Sequence, residues 1–86
     1  MDYQEYMQQR ETKVKLRERR RWCKDATDWA NSTAETLDSS QYTVRILRNQ
    51  IRAAAKKYAE SGSSEDQEAA HLLISQMLDM LEDNAI

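Results

Sequence analysis

The residues best equipped for chemistry in this chain are its cations. Arg10, Lys13, Lys15, Arg17, Arg19, Arg20, Arg21 and Lys24 fall in one short stretch that holds only two acids, Glu11 and Glu18. Closely spaced guanidinium and ammonium groups neutralise phosphates or carboxylates, so such a run is a footprint for a polyanion. The opposite sign is just as concentrated. From Glu60 to Ile86 there are seven acids and no Lys or Arg. The formal net charge of −2 conceals blocks of −2 over 1–9, +6 over 10–24, −4 over 25–40, +5 over 41–59 and −7 over 60–86.

Groups suited to covalent or metal chemistry are scarce. Cys23 is the single cysteine, so the sequence offers neither an intrachain disulfide nor a Cys/His set for zinc. Lys24 and Arg20 neighbour it, but no base and orienting group accompany it, and it reads as a small packed thiol rather than a nucleophile. His71 has no His or Cys at ligand spacing and is predicted to decorate the polar side of a helix. Gly-rich phosphate loops, metal motifs and nucleophile elbows do not occur in the sequence. The expectation is a non-enzymatic chain with no catalytic residues, cofactor, metal or small-molecule substrate.

The elements that position the charges are helices. One Gly and no Pro in 86 residues leave almost nothing to interrupt them. Val44, Leu47, Ile51, Ala54 or Ala55, and Tyr58 recur at steps of three and four, which predicts a helix over 41–60. Asp38, Ser39 or Ser40 is expected to cap its start, and Gly62 its end. Ser64 with Gln67 has the spacing of a capping box and opens a helix over 64–83. The apolar set of that helix runs Ala69, Ala70, Leu73, Ile74, Met77, Leu78, Met80 and Leu81. It spans about half the circumference, wide enough to need two neighbours.

The first helix is predicted from about Asp2 to Ala34, with a stripe of Trp22, Cys23, Ala26, Trp29, Ala30 and Thr33 leading to Leu37. At 1.5 Å per residue it is ~50 Å long against ~30 Å for the second helix. The hairpin therefore cannot cover it. Residues 22–37 form its core half, and residues 1–21 form a basic arm that projects. The fold class is all-α, three helices in a single domain over 1–86, a long N-terminal helix on an antiparallel hairpin. Leu, Ile and Val make up only about 15% of the chain and Phe is absent, so the core is thin. A second copy or a partner is expected to complete it.

Three sets of residues are candidates for contact. Arg10, Lys13, Arg17, Arg20, Arg21, Trp22 and Lys24 are assigned to a protein partner, because Trp and Arg are common interface anchors. Arg19, with the second-helix stripe Arg45, Arg48, Asn49, Arg52 and Lys56, is the set for nucleic acid, where Arg and Asn read base edges. Acids of the third helix are expected to neutralise part of that stripe across the hairpin. Tyr3, Tyr6, Met7 and Val14 are assigned to self-association. The arginine-rich stretch resembles the RNA-binding arms of small phage antiterminators over too few residues to identify a family.

The function expected from these features is binding to another protein through a basic and aromatic helical face, as a regulator or inhibitor. Phage- and plasmid-encoded regulators are often chains of this kind, an analogy of class alone. The second reading is a nucleic-acid-binding regulator. A homodimer is expected. No segment is long and apolar enough for a membrane and the N-terminus lacks a signal pattern, so a cytoplasmic location is expected.

Overall fold

Uninterrupted helical sequence gives three long helices in the computed structural model of the chain: α1 (Tyr3–Leu37), α2 (Tyr42–Ser61) and α3 (Ser64–Asn84). The structure describes residues 2–38 and 40–84, and the side chains of Gln9, Arg10, Glu11 and Asn84 lie outside that description. α1 packs along an antiparallel hairpin of α2 and α3, giving a rod of 58 × 20 × 20 Å. The 35 residues of α1 account for most of that length, ~52 Å at 1.5 Å per residue.

α1 runs one turn beyond Ala34 because Leu37 is buried and holds the last turn against the core. It stops at Asp38, whose φ of 82° takes the backbone out of the helical region. The Asp38 N–H donates to the Glu35 carbonyl at 3.3 Å. Asp38 Oδ1 then accepts the Ser40 N–H at 3.0 Å and the Ser40 hydroxyl at 2.6 Å. This local ring explains a correction. Asp38 and Ser40 satisfy each other, so neither caps α2, and Ser39 lies outside the described residues. Gln41 occupies the cap position without a side-chain bond.

The α2–α3 link follows the sequence more closely. Gly62 is left-handed (φ 67°, ψ 11°) and donates its N–H to the Tyr58 carbonyl at 2.8 Å. A Cβ at Gly62 would also run into the Arg19 guanidinium, which lies over the turn. α3 is capped one residue earlier than predicted. Ser63 Oγ accepts the Glu65 N–H at 3.2 Å and the Ser63 carbonyl accepts the Gln67 N–H at 3.1 Å. The Ser61 hydroxyl donates to Asp66, which also pairs with Lys57 Nζ at 3.6 Å.

The core gathers at the end of the rod where α1 meets the start of α2. Ala30, Ala34, Leu37, Val44, Leu47, Ile51 and Met77 are buried together, with Trp29, Leu73, Ile74, Met80 and Leu81 packed on them. Three alanines on α1 and α2 (Ala30, Ala34 and Ala55) let the two helices approach closely. α3 packs chiefly on α2 and meets α1 less extensively. One flank of its wide apolar face is therefore uncovered, with Leu78 42% and Leu72 61% exposed.

Candidate functional site

The turn at Gly62 fixes how far the hairpin reaches along α1. Gly62, Tyr58 and Gln67 sit at the level of Lys15, Glu18, Arg19 and Trp22. Residues before Lys15 extend past the hairpin as a helical arm, on which Tyr3, Tyr6 and Val14 are 73%, 51% and 44% exposed. Met7 is half-buried there.

Below the turn, α1 and α2 enclose an open groove lined by Cys23 and Thr27 on one side and Asn49, Arg52, Ala53 and Lys56 on the other. At 100° per residue, Arg20 and Lys24 share the side of α1 that Thr27 occupies, and Lys13 continues that side onto the arm beyond the hairpin. On α2, Arg45 and Arg48 continue the side that Arg52 and Lys56 occupy. The two basic blocks, apart in sequence, therefore flank one groove whose floor is made of small side chains. Lys13, Arg20, Lys24, Arg45, Arg52 and Lys56 are all exposed.

Neutralisation of the α2 stripe by α3 does not occur. Among the described residues the single ion pair within 4.0 Å is Lys57–Asp66. α3 docks on the flank of α2 that carries Lys57, whereas the stripe looks towards α1, so the acids of α3 lie on the wrong side to reach it. Arg48 is half-buried, its Nη2 donating to Asn49 Oδ1 at 3.4 Å, and its Nε has no hydrogen-bond partner. Glu18 and Arg21, three apart on α1, do not form an ion pair either.

The remaining candidates divide by direction. Arg17 and Arg21 are exposed on the outer side of α1, away from the hairpin. Arg19 turns inward over Gly62, at the C-terminal end of α2, where the helix dipole favours a cation. Arg10 lies outside the described side chains. Trp22 is half-buried, with its ring 5.2 Å from Tyr58 and 5.4 Å from His71, both at 69°. It belongs to a second groove, between α1 and α3, lined by Trp22, Asp25, Ala26, Trp29, His71, Ile74 and Leu78. The single basic and aromatic face expected of α1 is thus two faces. Cys23 is half-exposed on the floor of the basic groove rather than packed away.

His71 is more than decoration, since its ring abuts Trp22 while it stays solvent-exposed. Sequence reasoning missed this pairing because the two residues are 49 positions apart and only the hairpin joins them. Among the described residues, no group of three or more His, Cys, Asp or Glu side chains is placed to hold a metal ion. Among the described residues, the carboxyl of Asp38 is held below its ordinary value by the Ser40 hydroxyl and then the Ser40 N–H.

Fold and faces together define a three-helix all-α chain with a long first helix, one basic groove and one aromatic groove. Comparison with protein-family models, curated proteins and solved structures finds no match, so the functional reading rests on this geometry. No described helix is long and apolar enough to cross a membrane.

Proposed function

We propose that this chain is a non-enzymatic binding protein, of regulator or inhibitor type, whose α1/α2 groove takes an acidic segment of another protein. One observation carries the reading. Arg52 and Lys56 of α2 line the groove, Arg20 and Lys24 lie on the side of α1 that borders it, and none of the four pairs with a carboxylate of the described residues. An exposed cation gains little from a single surface pair, but a two-sided array gives electrostatic complementarity that selects a partner and speeds its arrival. The small side chains of Cys23, Thr27 and Ala53 leave room between the stripes for a polypeptide to pack against, which a phosphate backbone does not require.

A second reading, nucleic acid, is favoured by Asn49 standing beside Arg45 and Arg52 on one exposed helix face. Site-specific photocrosslinking separates the two. A crosslinker at Ala53, on the groove floor, should capture an acidic protein from the native host, and one at Ser75, on α3, should not. Capture of RNA or DNA from Ala53 instead would replace the first reading with the second. Equal capture from both positions would remove the groove from the account.

A further inference from the structure

The outer side of α1, away from both hairpin helices, carries exposed charges of both signs in a fixed order. Arg17 and Arg21 lie in its first half, and Asp25, Asp28 and Glu35 lie in its second. None of them has an oppositely charged side chain within 4.0 Å among the described residues. Arg17, Arg21 and Asp28 are spaced by four and seven, so at 100° per residue they form one stripe along α1. The same stripe continues back to Val14, and then to Tyr3 and Met7 on the arm that the hairpin leaves bare.

This order is self-complementary only when the helix meets itself running the other way. Pairing two copies antiparallel about a two-fold axis at the level of Trp22 and Cys23 brings position 17 opposite position 28, and position 21 opposite position 24, one residue (~1.5 Å) from the level of position 25. Arg17 then faces the partner's Asp28, and Arg21 reaches one residue along to the partner's Asp25, which lies on the same flank of the stripe while the partner's Lys24 lies on the other, each contact occurring twice by symmetry. The same register sets Val14 against the partner's Asn31. A parallel pairing would instead set Arg17 on Arg17 and Asp28 on Asp28. The charges thus select one orientation.

We infer that the outer face of α1 is a dimer interface whose occupant is a second copy of this chain, docked antiparallel through Arg17–Asp28 and Arg21–Asp25 pairs. The face is rich in charge and poor in large apolar side chains, so the association is electrostatic and salt-sensitive. It is separate from the basic groove, which lies on the α2 side of the same helix. A partner can therefore engage the groove whether or not the chain is paired.

The test is sedimentation of the full chain, with Arg17→Asp, Asp28→Arg and the combined Arg17→Asp/Asp28→Arg variant. Arg17 and Asp28 are eleven positions apart, ~16 Å along the helix, and cannot touch within one chain. The wild type should be dimeric at ~50 mM salt and dissociate towards ~1 M. Each single reversal should weaken the dimer at least ~10-fold, and the combined variant should return it to within ~3-fold of wild type. All three should keep wild-type helical content, since both residues are exposed. A wild type that stays monomeric at ~100 μM in low salt would overturn the inference. So would a combined variant no better than the weaker single one.

Discussion

The indole ring of Trp22 stands edge-on to Tyr58 at 5.2 Å, and the same ring meets His71 at 5.4 Å. One side chain of α1 thereby touches both helices of the hairpin close to its turn. The buried aliphatic core lies at the other end of the rod, so this aromatic cluster is what fastens the turn end to α1. Trp22→Ala should cost about 2–3 kcal/mol in denaturant unfolding, and His71→Ala under about 1 kcal/mol, because only the indole bridges both helices. Equal losses would show that the bridge is not the indole's.

Gly62 is favoured by its left-handed backbone, and a Cβ there would also displace the Arg19 guanidinium above it. Gly62→Ala should destabilise the chain by about 1–2 kcal/mol. In an Arg19→Ala background the cost should fall towards the backbone share alone, about 1 kcal/mol, a non-additivity that a double-mutant cycle reads directly.

How much of this was legible in the sequence depends on the range of the cause. Helix identity was, because Val44, Leu47 and Ile51 repeat on one face and all three are buried. Gly62 as the hairpin stop was too, because its reason lies within one turn. The caps were displaced by local competition, Asp38 taking Ser40 and Ser63 acting before Ser64. The flank of α2 that meets each neighbour is set by three-dimensional packing, and no periodicity encodes it. That is why the Arg45–Lys56 stripe was expected against the acids of α3 and is found beside α1. Length alone implied an arm over 1–21, whereas the hairpin turn reaches the level of Lys15 to Trp22, because helix length says nothing of where along α1 the hairpin docks.

Core energetics offer a sharper check on the thin core. Ile51 is fully buried and is among the largest side chains that are. Ile51→Ala should cost about 3–4 kcal/mol, enough to unfold much of a small domain at room temperature. Ile46→Ala, on an exposed face of the same helix, should cost well under about 1 kcal/mol. Urea midpoints of the two variants test the pair.

The Asp38–Ser40 ring predicts a pH dependence. The carboxyl is held below its ordinary 3.8 by the Ser40 hydroxyl first and the Ser40 N–H second. A lowered value in the folded chain favours the ionised form there. Its stabilisation is complete above the unfolded value and is lost as pH falls through the lower folded one. Ser40→Ala should therefore be less stable than wild type at neutral pH, and the gap should close in strong acid. A gap independent of pH would place the Ser40 contribution elsewhere.

The central claim is that the α1/α2 groove is the binding face, and charge reversal on both of its walls addresses it most directly. Arg20→Glu, Lys24→Glu, Arg52→Glu and Lys56→Glu are combined in one variant, with folding confirmed by circular dichroism, and its binding to the acidic protein captured at Ala53 is measured beside wild type. The account predicts a loss of at least ~100-fold in affinity, with wild-type binding weakening steeply as salt rises. Retention of wild-type affinity by the folded variant would contradict it.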